Sequence, residues 1–153
     1  VGTIQRKDGS DHTYHLLHYL EKARTDHALE SGFEAVWMAG ALLGLGDVLA
    51  GHGYFDHAPE LELVYHLRNG IAHGNTFTFK PGGLDRLQKF PANNHRAWVR
   101  GEPKTEFEIT TALSGQSVLL EFMGPGDVLD LLMSVGIYLI RMGNGDPLRP
   151  PSG

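Results

Sequence analysis

The chain has 153 residues, 41% of them hydrophobic, which suits one domain with a sizeable core. Cysteine is absent, which excludes disulfides, thiolate metal sites and cysteine nucleophiles and fits a reducing, cytoplasmic setting. The net charge of -5 argues against a non-specific polyanion binder, whose surface is usually basic.

Val1 to Ser10 is polar and unlike a secretory leader. Ser10 or Asp11 can cap a first helix running to about Leu29, with Tyr14, Leu17 and Leu20 at helical spacing. Gly32 reads as a break or a bend. A second helix then carries Phe33, Val36, Trp37, Ala41, Leu42, Leu45, Val48 and Leu49 toward Ala50, and Gly51-His52-Gly53 ends it. Asp56 can cap a third helix, Pro59 suits its first turn, and Gly74 is a natural stop. Leu61, Val64, Leu67 and Ile71 form the stripe that this helix should bury.

Thr76 to Phe79 alternates with a period of two and reads as a strand broken by Pro81-Gly82-Gly83. Leu84 to Lys104 reads as irregular, with one short helical turn around Leu84 to Lys89. Thr105 to Leu113 and Gln116 to Phe122 read as a hairpin turning at Ser114-Gly115. Asp127 can cap a last helix through Met142, with Val128, Leu131, Val135 and Tyr138 on one face. That helix is apolar on a second face too, at Leu129, Leu132, Met133 and Ile140, which a subunit interface would cover. Val128 to Met142 is the most hydrophobic stretch; it is short for a bilayer span and contains Asp130, so no membrane is expected. The Pro- and Gly-rich tail over 143–153 reads as loose.

The chemistry concentrates in Leu67-Arg68-Asn69-Gly70-Ile71-Ala72-His73-Gly74, at the end of the third helix. Residues on a helix advance by about 100°, so Asn69 and His73, four apart, share a face. Arg68 lies to one side, within reach through its long stem. RNA cleavage by 2'-hydroxyl attack needs a base, an acid and donors for the charge growing on the phosphoryl oxygens. An imidazole can be base or acid, a guanidinium offers forked donors to phosphate, and the Asn69 amide can hold either the imidazole or a phosphate oxygen. One cluster supplies one histidine; a two-fold dimer would bring two into one cleft.

Arg68-Asn69-Gly70-Ile71-Ala72-His73-Gly74 resembles the R-x4-6-H signature of the HEPN superfamily (higher eukaryotes and prokaryotes nucleotide-binding), including the polar residue that often follows the arginine. Two long helices before the motif and one after it extend the resemblance over most of the chain. The resemblance implies a mainly α fold. The residue pattern itself gives one domain over 1–153, a bundle of four to five helices with a small antiparallel sheet before the last helix; that strand-rich segment, residues 76–122, lies beyond a minimal HEPN-like bundle and reads as an insertion. The resemblance also implies Arg68 and His73 as catalytic pair, Asn69 as supporting residue and a homodimer as the active unit. Its proteins include metal-independent endoribonucleases of toxin-antitoxin and antiviral-defence systems, and non-catalytic nucleotide- or partner-binding modules. RNA is then the expected substrate, a cognate antitoxin a further partner, and no cofactor is called for.

Other groups carry a functional and a plainer role side by side. Arg96, Trp98 and Arg100 suit base stacking flanked by cations, or Trp98 closes the core beneath a loop. His12, His15 and His18 recur every three residues on the expected first helix, as a metal pair or as solvent-facing side chains. His52 and His57 flank an apparent loop with Asp56, as contacts to a ligand or a neighbouring chain or as ordinary loop residues. Glu34 and Asp47 are the acidic residues placed to orient Arg68, or plain surface charges.

Overall fold

A computed structural model of the chain describes residues 1–97 and 105–145. The chain gathers into two compact units, Val1–Trp37 and Met38–Gly153. The described residues are mainly helical with one small antiparallel sheet, the class expected from the sequence.

The first unit begins with strands β1 (Gly2–Gln5) and β2 (Asp11–Tyr14), paired antiparallel with Gly2 opposite Tyr14 and Gln5 opposite Asp11. The Asp8 carboxylate closes their turn by accepting from the Ser10 N–H and hydroxyl at 2.9 and 2.7 Å. The paired strands therefore lie at the N-terminus, and β2 occupies the stretch expected to open the first helix. Helix α1 (Leu16–Thr25) starts later and ends at Asp26. Asp26 is extended, and its Oδ1 accepts the Ala28 and Leu29 N–H groups, which starts helix α2 (His27–Gly51) immediately. Gly32, expected to break or bend the chain, is interior to α2. A capping carboxylate outweighs one glycine, whose helix cost is only about 1 kcal/mol.

No residue of α1 is buried. Tyr14, Leu16, Tyr19, Leu20, Phe33 and Trp37 line an apolar hollow of about 640 Å³ within the first unit. Among the described residues α2 is the one helix long and apolar enough to cross a bilayer, by length and composition alone, a test that core helices of soluble proteins also pass.

The second unit holds the core. Helix α3 (Pro59–Ala72) buries Leu61, Val64, Leu67 and Ile71, the stripe expected from its periodicity, and Pro59 occupies its first turn. Asp56 bonds the Ala58 N–H and takes the Tyr138 hydroxyl, holding the chain as it enters α3. Helix α5 (Pro125–Gly143) packs on α3, burying Val128, Leu131, Val135 and Tyr138. Its N-terminal N–H, on Gly124, is taken by the Asp127 carboxylate. Leu129, Met133 and Ile140, on its second apolar face, are exposed.

Between α3 and α5 the expected strands do not form a ladder. Pro81-Gly82-Gly83 begins helix α4 (Pro81–Lys89) instead of merely ending a strand. The two halves of the expected hairpin stay extended but pair with other segments. Ile109 bonds Ala92, and the Asn94 side chain bridges the backbone of Thr105 and Phe107. Phe77 exchanges backbone bonds with Gly115 and Gln116. The Asn75 amide then takes both the N–H and the C=O of Leu119 at 2.8 and 3.4 Å. These asparagine side chains satisfy the groups a ladder would use, so only isolated bridges remain. A short 3-10 turn, Thr111–Leu113, occupies the end of the expected first strand.

Candidate functional site

The site grows from the last turns of α3. The buried stripe fixes which way this helix faces, leaving Arg68 and Asn69 half-buried and His73 exposed. Gly74 follows at φ 87°, a left-handed conformation that glycine adopts without steric cost. The chain can therefore reverse sharply, and the Thr76 N–H returns to the Gly70 carbonyl at 3.0 Å.

The Arg68 stem lies against Gly46 of α2; a Cβ there would come within 2.6 Å of its Cγ. Its Nε and Nη2 both donate to Asp47 Oδ1, at 3.0 and 2.7 Å, and its Nη1 donates to Asn69 Oδ1 at 3.3 Å. Asp47 is thus a partner that orients Arg68, as the sequence suggested. Glu34 lies in the other unit and lines its apolar hollow.

Asn69 and His73 line a cleft of about 220 Å³, together with His66, Phe79, Lys80 and Gly83. Arg68 is not among its lining residues. The structure therefore bonds Arg68 to Asn69 and sets Asn69 and His73 along one cleft. Asn69 is the hinge of the arrangement. The His73 N–H closes onto the Asn69 and Gly70 carbonyls, and among the described residues no protein group hydrogen-bonds its ring.

The Arg68–Asp47 pair is open to water, with the side chains 38% and 62% exposed. Exposed pairs contribute little, so Asp47→Ala is expected to change unfolding free energy by no more than about 1 kcal/mol in urea titration. A larger loss would make Asp47 a structural residue instead of an orienting one.

His66 escaped the sequence reading, although it stands three residues before Asn69 and seven before His73, on the same helical face. It is only 5% exposed, and its Nε2 has no hydrogen-bond partner among the described residues. Burial pushes its pKa down from 6.5 to about 4; Glu62 opposes the shift and Arg86 adds to it. The folded chain therefore holds fewer protons than the unfolded one between those values. The stability contributed by neutral His66 is complete above about pH 6.5 and is lost as pH falls toward 4. The full loss is about 3 kcal/mol. Paired denaturation curves should show this slope in the parent and not in His66→Phe; equal slopes would refute it.

Glu62 anchors the neighbouring face. It is fully buried, accepting Arg86 Nε and Nη2 at 2.6 and 2.7 Å, with His57 Nδ1 at 2.8 Å. Arg86 sits 4.1 Å over the Tyr65 ring, and its pKa is raised chiefly by the hydrogen bond to Glu62. His57 stacks on Phe90 with ring centres 3.6 Å apart, and His52 stacks on Tyr54.

The remaining candidates are scattered. Arg96 is exposed on the loop after Phe90, while Trp98 and Arg100 lie outside the described residues. The three early histidines do not share a helix: His12 is on β2, bonded to Arg6, His15 precedes α1 and His18 lies within it. Among the described residues no cluster of three His, Asp or Glu suits a metal ion. Comparison with protein-family models, curated proteins and solved structures returns no match for this chain.

Proposed function

We propose that the chain is a HEPN-like, metal-independent endoribonuclease of toxin or antiviral-defence type, acting as a homodimer through Arg68, Asn69 and His73. The observation that carries this reading is the linked series Asp47–Arg68–Asn69, ending in a cleft that His73 lines with an unengaged ring. A held cation, an amide and an imidazole are the groups that transesterification of RNA requires.

In this reading one His73 takes the proton from the 2'-hydroxyl, O2' attacks phosphorus, and the bond to O5' breaks. The partner's His73 protonates O5', leaving a 2',3'-cyclic phosphate and a free 5'-hydroxyl. Arg68 bonds a non-bridging oxygen. Its present contacts leave one N–H on each terminal nitrogen, and a phosphate can compete with so exposed an ion pair. The exposed Leu129, Met133 and Ile140 of α5 supply apolar surface for pairing with a second copy. A cytoplasmic location and a cognate antitoxin go with this reading.

A second reading, a non-catalytic nucleotide- or partner-binding module, is favoured by the turn of Arg68 toward Asp47 instead of toward the cleft. The two are separated by incubating purified protein with a broad RNA panel in EDTA. Cleavage leaving 2',3'-cyclic phosphate ends supports the nuclease. Binding of RNA or nucleotide by a stable dimer without any cleavage selects the module.

A further inference from the structure

The apolar hollow of the first unit, at about 640 Å³, has the size of a small-molecule pocket, commonly about 300–1,000 Å³. Two helix faces build it. Leu16, Tyr19, Leu20 and Ala23 of α1 follow the i, i+3, i+4, i+7 spacing of a packing stripe. Glu30, Phe33, Glu34 and Trp37 of α2 follow the same spacing. Stripes packed on each other would be buried. Here Leu16, Tyr19, Leu20 and Phe33 stay between 50% and 53% exposed, so the two faces bound an open space.

The groups around that space narrow down what it takes. Tyr14, Tyr19, Phe33 and Trp37 line it, and among the described residues their one ring contact is Tyr19 with His18. The cation–ring contacts among those residues are made by Arg86 with Phe55 and Tyr65, so these four faces carry no cation of the chain. Glu30 is bonded to His27 Nδ1 at 3.2 Å. Glu34 is half-buried, and among the described residues no ion pair or side-chain hydrogen bond engages it. Arg6, bonded to the lining His12, also bonds Ser10 and the Asp11 carbonyl. Any occupant strips water from Glu34. A neutral one leaves the carboxylate without a partner and an anion repels it. A cationic nitrogen answers both the carboxylate and the aromatic faces.

We propose that this hollow binds a small organic cation, an amine or alkylammonium on an apolar body, with its nitrogen at Glu34 and its body between Tyr19, Leu20 and Phe33. The site is built from residues of the first unit alone, so the proposal is independent of the ribonuclease reading.

The test is calorimetric titration of the whole protein with three probes that share one body: 4-phenylbutylamine, 4-phenylbutanol and 4-phenylbutyrate. The amine should bind about ten-fold more tightly than the alcohol, and the carboxylate most weakly. Added salt should weaken the amine and leave the alcohol unchanged. Glu34→Gln should remove the preference for the amine while keeping the affinity for the alcohol. Phe33→Leu, which keeps an apolar side chain but loses the ring, should weaken the amine more than the alcohol. Should Glu34→Gln fail to fold, the salt dependence of the parent and Phe33→Leu decide. Equal binding of amine and alcohol, binding of neither, or a preference that survives Glu34→Gln overturns the site. A dimer that Leu20→Glu splits and that takes up no amine gives the hollow to a second copy, and overturns it as well.

Discussion

His73→Ala is expected to slow RNA cleavage by about 10²–10⁴-fold, the usual contribution of a positioned general acid or base. The effect should fall on the chemical step and not on folding, because the ring is exposed and only its backbone N–H is bonded to the helix end. Arg68→Ala should lose activity comparably, since it removes the guanidinium that this reading sets against the phosphate. Arg68→Lys should rescue little: an ammonium cannot bond Asp47, Asn69 and phosphate together from one planar group. Single-turnover rates in EDTA, with circular dichroism to confirm folding, measure both. If either alanine variant cuts as fast as the parent, these residues are not the catalytic pair.

The sequence was most legible where one helix face is apolar and the other polar. The stripe Leu61, Val64, Leu67 and Ile71, the stop at Gly74 and the buried face of α5 all lie where periodicity put them. Asp47 and Glu34 were the two acidic residues placed on the helix before Arg68, and Asp47 is the one that bonds it. Legibility failed where tertiary partners choose the pairing. Strands β1 and β2 carry no apolar alternation, and the one local mark is the Asp8-Gly9 turn between them, a signal too short to set against the helical spacing that follows. Asn75 and Asn94 replace ladder bonds by side-chain bonds, and an amide's choice of partner is invisible to pattern.

Polar residues that become buried were the other blind spot. Glu62 and His66 sit at helix positions that periodicity assigns to solvent; α4 and His57 cover the first, and the segment around Phe79 the second. Of these, α4 and the Phe79 segment are what turn the end of α3 into a cleft. The site is therefore partly specified by contacts more than twenty residues distant, such as Arg86 with Glu62.

Glu62→Ala is accordingly expected to destabilise the fold by about 3–5 kcal/mol, the cost of breaking a buried pair from one side. Glu62 is wholly shielded from water and holds both the Arg86 fork and the His57 ring. Without it, the Arg86 guanidinium, only 24% exposed, keeps the Tyr65 face and little else to balance its charge. Replacing both ends, as in Glu62→Leu with Arg86→Met, should recover most of the loss, since no charge is then left stranded. Urea unfolding of the two single variants and the double variant measures the coupling. A loss below about 1 kcal/mol in Glu62→Ala would show that the pair is solvated and weak. The same variants bear on the cleft, because Arg86 ties α4 to α3, and Gly83 of α4 and Lys80 just before it line the cleft. Loosening that tie should weaken nucleotide binding even where the protein remains folded, while the double variant, stable but unpaired, should bind only as well as its apolar contact holds α4 in place.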